Sequence, residues 1–175
     1  SADTECILLA TEFLKALGLN DLVVEINSLG CSTCRKEYKD QLKQAIAPFL
    51  DGLCEDCRNR YEKNPLRILD CKNEECNRLF EENHLKEKVS GIKLCDECST
   101  HYTKLKKYLD ILGIKYVENT FLVRGLDYYT KTVFEIKSNS LGSQNAVCGG
   151  GRYDGLVETL GGAHTPAVGW AMGIE

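Results

Sequence analysis

Ten cysteines stand in this 175-residue chain, and eight of them fall in close pairs: Cys31/Cys34, Cys54/Cys57, Cys71/Cys76 and Cys95/Cys98. Two thiolates three residues apart share one tight knuckle, and two knuckles complete the tetrahedron of soft ligands that zinc prefers. Three C-x2-C pairs and one C-x4-C pair therefore supply two four-cysteine sites. Chain order groups Cys31, Cys34, Cys54 and Cys57 in one site, and Cys71, Cys76, Cys95 and Cys98 in the other; interleaved, cross-braced pairing is the alternative. The plain reading is a set of buried free thiols packing as small hydrophobes. A site filled by four protein ligands keeps no open position, so the expected role is structural rather than catalytic.

The second concentration of chemistry lies downstream. Arg124-Gly125-Leu126-Asp127-Tyr128-Tyr129 is followed by Cys148-Gly149-Gly150-Gly151-Arg152-Tyr153-Asp154-Gly155. The glycine string matches neither the G-x4-G-K-[ST] phosphate loop nor the G-x-G-x-x-G dinucleotide turn. Arginines, aspartates and tyrosines around tight glycine turns suit a pocket for a small, polar, partly aromatic ligand. Tyrosine hydroxyls orient a polar ring, a carboxylate holds an amine, and a guanidinium neutralises an anion. The bland counterpart is a buried Arg–Asp network among core tyrosines. His84, His101 and His164 are isolated and are expected at the surface.

These residues need a scaffold. Asp3 is placed to cap a helix with Cys6, Ala10, Phe13, Leu14 and Leu17 on one face and Gly18 at its end. Leu22 to Asn27 reads as a strand closed by Gly30. Tyr38, Leu42, Ala45, Ile46 and Phe49 recur at helical spacing, and a last helix carries Tyr102, Leu105, Leu109 and Leu112 and stops at Gly113. Between Cys31 and Asn119 cations and carboxylates nearly balance. That describes a solvated module with a thin core, the kind that metal commonly staples. Ile114 to Val117, Phe121 to Val123 and Thr132 to Ile136 read as β segments, followed by a short helix around Leu156 to Leu160. The expected organisation is a β-rich core whose first segment, a helix and a strand, covers 1–30, a cysteine-rich insertion over 31–113, and a return to the core over 114–175.

Composition sets the outer bounds. Hydrophobic residues are 43% and charged residues 27%, ordinary for a globular chain. No apolar run reaches membrane-spanning length, and the acidic start Ser1-Ala2-Asp3-Thr4-Glu5 is unlike a secretory leader. A cytoplasmic location is expected, where a reducing milieu favours metal over disulfides for paired cysteines. The net charge of −4 gives no global attraction to nucleic acid.

Phe121-Leu122-Val123-Arg124-Gly125-Leu126-Asp127-Tyr128-Tyr129-Thr130 resembles the first histidine-specific signature of histidyl-tRNA synthetases, and Gly150-Gly151-Arg152-Tyr153-Asp154-Gly155-Leu156 resembles the second. Gly169-Trp170-Ala171-Met172-Gly173-Ile174-Glu175 is similar to the start of the third class II motif, and Glu25 to Gly30 and Asn64 to Asp70 also match family segments. The resemblance spans nearly the whole chain. It implies an α+β fold: the C-terminal part of the antiparallel-sheet class II catalytic core, carrying an inserted, mainly helical, cysteine-rich domain.

The implied activity is histidine–tRNA ligation, with histidine, ATP and tRNA(His) as substrates, Mg2+ beside ATP, zinc as a structural feature of a subgroup, and a homodimeric parent enzyme away from membranes. Arg124 matches the arginine that meets the ATP α-phosphate and the histidine carboxylate. Tyr128, Tyr129 and Tyr153 match the wall of the histidine pocket; Gly149, Gly150, Gly151 and Arg152 match its floor; Asp127 and Asp154 are expected to brace the arginine and the turns. The first and second class II motifs have no counterpart in the chain, so alone it is expected to be inactive. The competing readings are a synthetase-like regulatory paralogue, whose family lacks the insertion and the arginine signature, and a zinc-containing RNA- or protein-binding module without catalysis.

Overall fold

The computed structural model describes residues 1–89, 91–140 and 145–174, and of Lys86 the backbone alone. The chain opens with α1 (Ala2–Ala16), whose Ile7, Ala10 and Leu14 share one buried face. Ser1, not Asp3, occupies the N-cap; Asp3 sits inside the first turn and is fully buried, because a partner described below awaits it on the sheet. The helix ends at Leu17, where Gly18 takes φ +92° and its amide and that of Leu19 close on the last carbonyls.

Strand β1 (Leu22–Ser28) then alternates with period two: Val24 and Ile26 face α1, while Glu25 and Asn27 face the other way. The chain leaves the sheet after β1 and builds a helical module. It consists of α2 (Ser32–Ile46), a 3-10 segment Ala47–Gly52, α3 (Glu55–Lys63), a second 3-10 segment Pro65–Asp70, α4 (Glu74–Glu82), the single turn α5 (Leu85–Lys88) and α6 (Asp96–Ile111). It returns through β2 (Tyr116–Glu118), β3 (Thr130–Ser138), β4 (Ala146–Arg152), the short α7 (Leu156–Thr159) and β5 (Val168–Met172).

The sheet order is β2-β1-β3-β4-β5, with β2 parallel to β1 and the remaining neighbours antiparallel. Each face has its own core. On one, α1 and α6 pack Ile7, Leu14, Leu105 and Leu109 against Val24, Ile26, Phe134 and Ile136. On the other, Tyr38, Leu42, Ile46, Ile68 and Phe80 of the module gather with Leu122, Val123, Tyr129 and Val133. The module thus covers the face opposite to α1, while its last helix crosses to pack beside α1.

Two expectations are corrected here. Phe121 to Val123 is not a strand but part of a loop laid over the sheet. The Asn27 side-chain amide donates to the carbonyls of Thr120 at 3.1 Å and Leu122 at 3.0 Å, satisfying backbone that a neighbouring strand would otherwise pair. Gly149 to Gly151 are not a turn but the interior of β4, between β3 and β5. Glu175, the last residue of the segment resembling the third class II motif, lies outside the described residues. Among the described residues no helix is long and apolar enough to cross a membrane.

Candidate functional site

The site begins with the glycines of β4. An interior strand normally presents a side chain at every second position, and here two of those positions are bare. A Cβ at Gly149 would overlap the Arg124 guanidinium, and one at Gly151 would come within 2.9 Å of the Tyr129 ring and 2.5 Å of the Thr132 carbonyl. Glycine is therefore required by close approach: the strand makes room for an arginine and a phenol laid flat upon it. Gly150 faces the other way, onto Phe134 and Trp170.

Arg124 is fixed from one side. Its Nη1 donates to Glu135 Oε2 at 2.6 Å, and its Nε is buried without a hydrogen-bond partner among the described residues. One carboxylate at one edge leaves the rest of the fork available to an anion. Glu135 belongs to a charged row on this face of β1 and β3. Lys137 bridges Glu25 at 2.7 Å and Glu135 at 3.7 Å, and Asn119 donates to Glu25 at 2.8 Å. Burial opposes the charge on Glu25, but Lys137 and Asn119 outweigh it and hold the carboxyl below its ordinary range. A cleft of about 960 Å3 opens over this row, closed on its far side by Leu69, Asp70 and Lys72 of the module and by Phe121 to Val123.

Tyr128, Tyr129 and Tyr153 cluster beside Arg124, tilted or edge-to-face, with centroids 4.7 Å apart for Tyr128–Tyr129, 5.6 Å for Tyr128–Tyr153 and 6.3 Å for Tyr129–Tyr153. Burial, reinforced by Tyr128, pushes the Tyr129 phenol up to about 12, so it stays neutral and can both donate and accept. Asp127 accepts from the Asn64 side chain, which ties the loop to the module. The structure thus brings Arg124, the three tyrosines, Gly149 and Gly151 together.

Arg152 stands apart from them. Its guanidinium lies between Asp3 of α1 and Asp154, at 2.9 Å from the latter. Asp3 also accepts from Thr132 at 2.6 Å and pairs with His101 Nε2 at 3.0 Å. Burial alone would neutralise Asp3; hydrogen bonds from His101, Arg152 and Thr132 override it and hold the carboxyl well below its usual range. His101 is consequently not a free surface residue but the link from α6 to this network, whereas His84 and His164 are exposed. Glu135, Asp3 and His101 escape a motif search because each is isolated in sequence. The one available signal was Glu135 and Lys137 alternating with Phe134 and Ile136 along β3, which announces a polar sheet face.

The eight paired cysteines form two groups of four, but not in chain order. Cys31, Cys34, Cys95 and Cys98 make an outer cluster and Cys54, Cys57, Cys71 and Cys76 an inner one, each with its sulfurs within 4.8 Å of one another. The pairing is nested, neither sequential nor interleaved, because the module folds back so that the first turns of α2 and α6 meet beyond the C-terminal end of β1. All ten cysteines are free thiols.

The donor sets fit zinc. A tetrahedron with Zn–S near 2.3 Å has sulfurs about 3.8 Å apart, and Cys31–Cys34 stand at 3.6 Å and Cys54–Cys71 at 3.9 Å. The Cys34 amide holds the Cys31 thiol down to about 6, whereas burial pushes Cys98 up to about 12 and Cys76 up to about 11. Such closely packed, mostly buried thiols ionise together only if a cation joins them.

A mostly antiparallel sheet with helices on one face and an arginine, tyrosines and a polar cleft on the other is the catalytic-core architecture of a class II aminoacyl-tRNA synthetase. The fold is similar to that of an apo histidyl-tRNA synthetase of S. aureus, with a TM-score of 0.71 at 35% identity over 99% of this chain and 41% of that one. The chain belongs to the histidyl-tRNA synthetase family, whose sequence profile matches residues 1–175. It is 54% identical over 175 residues to the histidine–tRNA ligase of Caldanaerobacter subterraneus subsp. tengcongensis, and 52% identical over 174 residues to that of Thermotoga petrophila. These alignments cover 100% and 99% of this chain but 41% and 40% of the relatives, so the chain spans about two-fifths of their length.

Proposed function

We propose that the complete protein is a cytoplasmic histidine–tRNA ligase, a homodimer that activates histidine with ATP and transfers it to tRNA(His). The observation that carries this reading is the Arg124 guanidinium seated on Gly149, braced by Glu135, with the three tyrosines at its side. In the first half-reaction a histidine carboxylate oxygen attacks the α-phosphorus of ATP. The new P–O bond forms as the bond to the bridging oxygen breaks, and pyrophosphate leaves. Two anions must meet for this step, and the free edge of Arg124 supplies the compensating charge without reorganising. The hydroxyls of Tyr128, Tyr129 and Tyr153 read the imidazole nitrogens. In the second half-reaction a terminal ribose hydroxyl of the tRNA attacks the acyl carbon and AMP departs.

Mg2+ would enter with ATP and would supply screening of the phosphate charge. Zinc fills both four-cysteine clusters and is structural, since every position is taken by protein sulfur. The 175-residue chain, two-fifths of its relatives' length, forms no histidyl-adenylate by itself. The test is charging of tRNA(His) with labelled histidine by the complete protein and its Arg124→Ala variant. Loss of about 10^2–10^3 in kcat is expected, the scale for removing one charge-stabilising donor. Charging unchanged in the variant would remove Arg124 from the mechanism.

A further inference from the structure

The outer cluster sits where the module leaves the sheet and its last helix begins, and its neighbours reach into the tyrosine wall. Cys31 caps α2, and Gly30 before it takes φ +62°, where a Cβ would fall 2.6 Å from the Cys34 Cβ. Arg35 follows Cys34 directly, and its amide bonds the Cys31 carbonyl at 3.0 Å. From there its Nη1 donates to the carbonyl of Tyr129 at 2.8 Å and reaches that of Asp127 at 3.4 Å. A second set of contacts runs in parallel. The Lys131 amide bonds the Gly30 carbonyl at 2.9 Å, the Leu29 amide bonds the Lys131 carbonyl at 2.7 Å, and Lys131 Nζ pairs with Glu97, between Cys95 and Cys98, at 2.8 Å. The segment from Asp127 to Lys131 is therefore tied to the outer cluster at both ends. The hydrogen bonds to the inner cluster's sulfurs, among the described residues, come from Cys54 and Asn73, within the module itself.

We propose that Arg35 is a positioning residue for the Tyr128–Tyr129 wall, and that the outer cluster, loaded with zinc, is the fixture that holds Arg35 and Lys131 in place. The inner cluster shapes the module, and among the described residues its tie to this segment is at Asp127 alone, through Asn64 at the end of α3. The inference rests on the zinc reading above and adds a division of labour between the two clusters. Metal bound by Cys31, Cys34, Cys95 and Cys98 locks the first turns of α2 and α6 together. Arg35 then presents one nitrogen to two carbonyls that no strand partner satisfies, and the phenol of Tyr129 is aimed over Gly151.

The experiment is amide hydrogen exchange across residues 127–131, with zinc per chain measured on the same samples, for the wild type, Arg35→Met, Arg35→Lys, Cys98→Ser and Cys57→Ser. Arg35→Met should keep both zinc ions and raise exchange in this segment by about ten-fold. Arg35→Lys should restore protection, because a single nitrogen makes both contacts. Cys98→Ser should lose one zinc and loosen the segment, whereas Cys57→Ser should lose one zinc and leave Tyr129 to Lys131 unchanged. In the complete enzyme, Arg35→Met should raise KM for histidine by about ten-fold while KM for ATP stays within about two-fold. Two zinc ions with unaltered exchange and KM in Arg35→Met would overturn the positioning role alone. Equal loosening by Cys57→Ser would overturn the division of labour. A wild type with no zinc would overturn the fixture together with the metal reading, and the elemental count alone identifies that outcome.

Discussion

A methyl group at Gly149 would have to share space with the Arg124 guanidinium, so Gly149→Ala should displace the arginine rather than unfold the chain. Overpacking of this kind destabilises by about 1–3 kcal/mol, and in the complete enzyme the tRNA charging rate should fall far more than thermal stability does. A second residue-scale test falls on Asp3. It is fully buried among Arg152, His101 and Thr132, and Asp3→Asn would remove one of the two carboxylates that hold the Arg152 guanidinium, leaving Asp154 alone. Breaking one partner of a buried pair is destabilising by about 3–5 kcal/mol, to be read by denaturant unfolding. The pH dependence follows from the depressed folded pKa of Asp3. Its stabilisation is fully present above the unfolded value of about 3.9 and is lost as pH falls below it. The wild type should therefore weaken below about pH 4, and Asp3→Asn should lack that part of the acid transition.

At the scale of elements, the helical stretches were legible because Tyr38, Leu42 and Ile46, or Leu105 and Leu109, repeat with the helical period and are buried as that period requires. The β4 glycines were not, since three successive glycines carry no period; their strand is imposed by β3 and β5 on either side and by the arginine above. The cysteine knuckles were legible as pairs, but not which pair meets which. That choice depends on the first turns of α2 and α6 converging beyond the end of β1, a long-range fact absent from local spacing. The clusters bear directly on stability, because a thin helical module gains from metal what its core lacks. Removal of zinc by a chelator under reducing conditions should melt helix signal from the module at a lower temperature than in the loaded protein. Lowering pH should release the metal, since four thiols must be deprotonated to bind it. An unchanged melting temperature after chelation would mean that the thiols hold the module by packing alone.

Across the whole molecule, the sheet is a partition. One face is sealed by α1 and α6 and anchored by the Asp3–Arg152–His101 network; the other presents Arg124, the tyrosines and the polar cleft beneath the module. Sequence placed Arg124, Tyr128, Tyr129 and Tyr153 in one pocket through linear signatures, and in the fold they do meet. It set Arg152 beside them by adjacency, whereas strand alternation carries that side chain to the opposite face. The central claim is that the pocket selects histidine and joins its carboxylate to the α-phosphate of ATP. Amino-acid-dependent ATP–pyrophosphate exchange by the complete protein tests it most directly, each amino acid being offered in turn. Exchange supported by histidine alone, and lost in Arg124→Ala, is the predicted result. Exchange supported by another amino acid, or by none in a folded and zinc-loaded protein, would contradict the account.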